Sequence, residues 1–129
     1  MSNVLLIEDD LLMLRLYERV LQFAHFSVVT AGNGKEGLIK VKTQRFDVIL
    51  LDMMMPEMNG MEVLTRLKND PATRGIPVIM LTNLAGDEDI AEAMKRGAIK
   101  YIVKSEHEPK SIIAVITSVL ANAPKQSIV

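Results

Sequence analysis

Five short apolar runs, at residues 4–7, 27–31, 46–51, 78–81 and 99–103, alternate with longer stretches in which apolar residues recur at helical spacing. The stretches 4–7, 48–51 and 78–81 are unbroken and apolar, which predicts strands covered on both faces. The first helical stretch starts after Asp10, a suitable N-cap. Its Met13, Leu16, Tyr17, Val20, Leu21 and Ala24 predict an inward stripe, widened on one flank by Leu12 and Phe23. Arg15, Glu18, Arg19 and Gln22 are expected to face water. Leu38, Ile39, Val41 and Lys42 predict a short second helix to about Gln44. Asn59 caps a third, whose Val63, Leu64 and Leu67 face inward and which Asp70-Pro71 ends. Asp87 starts a fourth, through Ile90, Ala91 and Met94, closed by Gly97. Pro109 fits the first position of the last helix, in which Ile112, Ile113, Ile116, Val119 and Leu120 form the buried stripe.

Strand and helix thus alternate five times, which predicts an α/β fold with helices on both faces of a parallel sheet. The expected arrangement is one flavodoxin-like, doubly wound (βα)5 domain with strand order 2-1-3-4-5. At 129 residues the chain suits one domain with a full core, needing no disulfide or metal staple. It contains no Cys, so thiolate metal sites and disulfides are excluded. Lys and Arg total 15 against 16 Asp and Glu, so no global basic field points to direct nucleic-acid binding. No apolar run approaches the roughly 18 residues needed to span a bilayer, and no basic, cleavable leader precedes the first strand. The expectation is a cytoplasmic protein that does not engage membranes. Nine Met with few aromatics imply an adaptable aliphatic core.

Two motifs compete for a chemical reading. Gly32-Asn33-Gly34-Lys35-Glu36-Gly37 spells G-x-G-x-x-G between a strand and a helix, with Asp52 20 residues on from Gly32, as a dinucleotide site would want. It follows the second strand rather than the first, however, and Glu8 and Asp9 would repel a pyrophosphate. Turn and helix-capping glycines are the simpler reading.

The stronger pattern lies at the strand ends. Four of the five runs end in polar or charged residues: Glu8-Asp9, Asp52, Thr82 and Lys104. The second run ends in Ala31-Gly32 instead. In the order 2-1-3-4-5 the second strand lies at an edge and the other four are adjacent, so the four polar ends converge on one crevice. Clustered carboxylates need a cation, and hard oxygen donors suit Mg²⁺. An ammonium opposite them, with a hydroxyl between, suits an anion. Together they describe a phosphoryl site beside a divalent metal.

These motifs, Val4 to Asp10, Asp52 to Gly60, Leu81-Thr82 and Tyr101 to Lys104, resemble the receiver domain of two-component response regulators, over essentially the whole chain. The resemblance implies a receiver domain at 1–122 followed by a flexible tail or linker stub at 123–129. It implies that Asp52 accepts a phosphoryl group from a sensor histidine kinase or phosphotransfer domain. Asp9, Asp52 and the Met54 carbonyl would hold Mg²⁺, with Glu8 acting through water. Lys104 would pair with the phosphoryl oxygens, Thr82 would move to bond one of them, and Tyr101 would turn inward as it does. The face made by the 87–97 helix, the last strand and the last helix would then engage an effector or output domain, with homodimerisation on phosphorylation allowed for. Leu12, Met13 and Leu16 would dock the kinase, and Met54 and Leu84 would set the lifetime of the phosphoryl group. Ser105 follows Lys104 where the family usually has proline, Asn83 follows Thr82 where a small residue is common, and the last helix carries no charge from Ser111 to Pro124. Two other functions use parts of the same pattern: a Mg²⁺-dependent aspartyl-phosphate phosphatase or phosphotransferase, in which Met54 would stand where a second Asp is wanted, and the dinucleotide binder.

Overall fold

The computed structural model describes residues 1–122 and contains one parallel sheet in the order β2-β1-β3-β4-β5. The strands are β1 (Asn3–Ile7), β2 (Ser27–Ala31), β3 (Val48–Leu51), β4 (Val78–Thr82) and β5 (Lys100–Val103). The helices are α1 (Leu11–Phe23), α2 (Gly34–Lys40), α3 (Gly60–Asn69), α4 (Asp87–Lys95) and α5 (Ile112–Asn122). Both the alternation and the strand order expected from the sequence are present. The tail or linker stub expected at 123–129 lies outside the described residues.

Successive residues of a strand point to opposite faces, and here both faces are apolar. Leu5, Ile7, Ile49, Leu51, Val78 and Met80 pack on one face against Val63, Leu64 and Leu67 of α3 and Ala93 of α4. Val4, Leu6, Val48, Leu50, Ile79 and Leu81 pack on the other against α1 and α5. Burying each such side chain is worth about 1.5–3 kcal/mol, so the three central strands carry most of the stabilisation. The register places Ile7 opposite Leu51, Leu51 opposite Met80 and Thr82 opposite Val103, which brings the carboxyl ends of β1, β3, β4 and β5 to one rim.

Several boundaries and faces differ from the sequence reading. The inward face of α1 is Leu14, Tyr17 and Leu21, with Met13, Val20 and Ala24 half-buried beside it. Leu16, expected inside, is 41 % exposed, and Leu12 and Phe23 are 82 % and 89 % exposed. The stripe by which α1 packs over β2 and β1 is thus centred on Leu14 and is narrower than the sequence offers. On α4, Ala93 is the buried residue, while Ala91 and Met94 are exposed. Helix α2 stops at Lys40 rather than near Gln44, and a turn carries Val41, still buried, onward. The 46–51 run pairs only from Val48, and Pro109 opens a 3₁₀ turn, Pro109–Ser111, that feeds α5.

The glycine motif after β2 serves packing. Asn33 caps α2 by accepting from the Glu36 N–H, and a Cβ on Gly37 would overlap Ile7 of β1. No helix among the described residues is long and apolar enough to cross a membrane.

Candidate functional site

At the end of β1, Glu8 is buried and Asp9 is exposed. Glu8 Oε2 accepts from the Asp10 N–H at 3.1 Å, and Asp10 in turn caps α1 by accepting from Leu12 and Met13. The chain therefore turns directly from the strand into a helix and holds both acids at the rim. At the end of β3, buried Asp52 accepts from the Met54 N–H through Oδ1, at 3.2 Å. The following loop folds back so that the Gly60 N–H donates to the Met53 carbonyl at 2.8 Å. A Cβ on Gly60 would overlap the Asp52 carbonyl oxygen, so only glycine lets α3 start this close to the acid.

Carboxylate oxygens of Glu8, Asp9 and Asp52 lie within 4.8 Å of one another. Lys104, at the end of β5, is buried, donates to Glu8 Oε1, and has Nζ 3.8 Å from Asp52 Oδ2. Burial and then the neighbouring Asp52 carboxyl push the Glu8 carboxyl up from 4.5 to about 7, against the lowering effect of Lys104 and the Asp10 N–H. Crowding of carboxylates in this way favours a bound cation. The all-oxygen donor set fits a hard divalent ion such as Mg²⁺. Both Glu8 oxygens already have partners, which suits a role at one remove from such an ion.

The sequence reading is met unevenly around this cluster. Glu8, Asp9, Asp52 and Lys104 are brought together as expected. Thr82 is fully buried at the end of β4, next to β3, and its Oγ1 accepts from the Leu84 N–H at 3.3 Å. Tyr101 is half-buried and its hydroxyl donates to the Leu84 carbonyl at 2.6 Å. Met54 is 57 % exposed at the rim, between buried Met53 and Met55. The segment after Lys104 forms a 3₁₀ turn, Lys104–Glu106, and no cis peptide bond occurs among the described residues.

Two participants were missed from sequence. Tyr17 counted there as one member of a core stripe, yet its ring lies beside the Lys104 ammonium. Burial and then the nearby Glu8 carboxylate push the Tyr17 hydroxyl pKa up. The main chain of Leu84, bonded by Thr82 and Tyr101, was also missed, because a backbone role leaves no mark on residue identity.

Comparison with known proteins agrees with this geometry. Residues 4–117 match the family model described as the response regulator receiver domain. Response regulator ArlR of Staphylococcus haemolyticus is 33% identical over 129 residues, covering 100% of this chain and 57% of that protein. Response regulator PleD of Caulobacter vibrioides is 37% identical over 103 residues, 80% of this chain and 23% of that protein. The chain thus spans little more than half of one relative and under a quarter of the other. Among solved structures, chemotaxis protein CheY4 of Vibrio cholerae superposes with a TM-score of 0.86 at 31% identity, covering 92% of this chain and 98% of that one.

Proposed function

The chain belongs to the response regulator receiver domain family, a family of two-component signalling domains that accept a phosphoryl group on aspartate, and from that footing we propose that Asp52 is the acceptor here. The observation that carries this reading is the setting of the Asp52 carboxylate, with Glu8 and Asp9 on one side and the Lys104 ammonium on the other. Met54 fixes Oδ1 through its N–H and so turns Oδ2 toward Lys104. An Asp52 oxygen attacks the phosphorus of a phosphohistidine on a sensor kinase or phosphotransfer domain. The P–N bond breaks, the P–O bond forms, and an acyl phosphate remains on Asp52. Lys104 pairs with the transferred oxygens. Asp9, Asp52 and the Met54 carbonyl would hold Mg²⁺, with Glu8 through water, and the ion would neutralise charge on the phosphoryl group.

The consequence of acceptance is a population shift. Thr82, whose Oγ1 accepts from the Leu84 N–H, would move to donate its O–H to a phosphoryl oxygen, and the Leu84 loop moves with it. Tyr101 shares the Leu84 residue and responds to the same displacement. The surface altered is that of α4, β5 and α5, to which an effector or output domain binds. Residues 1–122 act as the receiver unit. Kinase docking falls to the exposed start of α1.

Intact-mass measurement after incubation with Mg²⁺ and acetyl phosphate tests the assignment. The wild type should gain one phosphoryl group and Asp52→Asn none. Equal mass gain in both would assign the acceptor elsewhere.

A further inference from the structure

Lys104 faces three groups, and two of them are acids. Its ammonium donates to Glu8 Oε1, lies 3.8 Å from Asp52 Oδ2, and stands 5.9 Å from the centroid of the Tyr17 ring. Tyr17 reaches this point from the inward face of α1, where it is 2 % exposed and packed among Leu14, Leu21 and Ile112. The Lys104 side chain is itself 6 % exposed, so cation and ring meet out of water, where such contacts are strongest. Accepting a phosphoryl group requires Lys104 to exchange an acid partner for the incoming oxygens. A lysine freed from its counter-ion has a four-carbon stem and many rotamers, and is poorly placed unless something else confines it. A second acid in that position would compete with the phosphoryl oxygens for the ammonium. A neutral ring attracts the cation, uses none of its N–H donors, and is unaltered by the exchange.

We propose that Tyr17 is a positioning residue for phosphoryl acceptance: its ring keeps the Lys104 ammonium over Asp52 while that ammonium passes from Glu8 to the phosphoryl oxygens. This rests on the role given above to Lys104. The ring carries the effect and the hydroxyl does not, which separates this role from hydrogen bonding. Ring electrostatics, rather than ring volume, also separates it from packing.

The test is the initial rate of Mg²⁺-dependent phosphorylation by acetyl phosphate at saturating Mg²⁺. Tyr17→Phe should stay within about twofold of the wild type, and Tyr17→Leu should be roughly fivefold slower, with Mg²⁺ half-saturation unchanged in both. Pentafluorophenylalanine at position 17 preserves the shape of the ring and reverses its quadrupole, so a stably folded protein carrying it should be as slow as Tyr17→Leu. A rate equal to that of Tyr17→Phe would overturn the proposal. A second measurement needs no phosphoryl donor: the Lys104 Hε resonances should be shifted upfield by the ring in the wild type and in Tyr17→Phe. Unshifted resonances in the wild type would overturn the contact itself. Shifted resonances in a wild type that takes up no phosphoryl group would fault the acceptor reading and leave the contact standing.

Discussion

Met54 is turned to solvent beside Asp52, and Leu84, two residues beyond Thr82, is half-buried against the core. Neither side chain hydrogen-bonds a water well, and both are large enough to cover an anion on Asp52. Hydrolysis of an acyl phosphate needs a water held in line with the breaking bond, so these residues should give a slow loss of phosphoryl. Each orienting contact is worth about 1 kcal/mol, or roughly fivefold in rate. The double change Met54→Asn, Leu84→Glu should therefore shorten the lifetime of phospho-Asp52 by about tenfold or more, as read from Phos-tag-resolved decay. Identical decay in mutant and parent would refute the rim argument. At this scale the acids and Lys104 were legible from sequence, because a charged residue directly after an apolar run can only stand at a strand end. Tyr17 was not, since an inward aromatic on a helix reads the same whether it faces leucines or an ammonium.

Helix α1 shows where legibility fails at the next scale. It is apolar at 11–14, 16, 17, 20, 21, 23 and 24, which contains two overlapping stripes. The helix alone cannot choose between them; the surface of β1 and β2 beneath it does, and it takes Leu14 with Tyr17 and Leu21. What remains outside is an apolar patch with Leu11, Leu12 and Leu16 near the acid rim, rimmed by Arg15 and Arg19. Leu12→Asp should slow transfer from a phosphorylated kinase several-fold and leave transfer from acetyl phosphate unchanged. Equal slowing of both would mean damage to the fold. Helix α3 offers the opposite case, an element whose start is dictated by one residue. A methyl group at position 60 meets the Asp52 carbonyl, and overpacking of this kind costs about 1–3 kcal/mol. Gly60→Ala should lower the melting temperature and displace Asp52, so that phosphorylation slows as well. A variant of unchanged stability and rate would show that the loop yields without cost.

Over the whole molecule, the crowded acids couple stability to pH and to metal. The folded protein holds the Glu8 proton more tightly than the unfolded chain does, with a value near 7 against 4.5. That contribution is present in full below 4.5 and is lost as pH rises through about 7. In metal-free protein the melting temperature of the wild type, relative to Glu8→Gln, should therefore fall between pH 5 and about pH 7.5. Mg²⁺ should raise the melting temperature more at about pH 8 than at pH 5, because the ionised cluster is the form that binds it. A relative melting temperature that climbs with pH across this window would reverse the assignment for Glu8.

Leu84 belongs to two systems at once. Its N–H and carbonyl join Thr82 to Tyr101, while its side chain packs against the core and carries the rim role predicted above. The backbone contribution survives any substitution that keeps the loop's shape, and the side-chain contribution changes with every one. On the rim prediction, mutation at this single codon would retime the signal without severing the proposed connection. The hydroxyl of Tyr101 has no such latitude, since replacing it removes a wire and adjusts nothing. Descent with modification would find the clock of this protein easy to reset and its wiring hard to redraw.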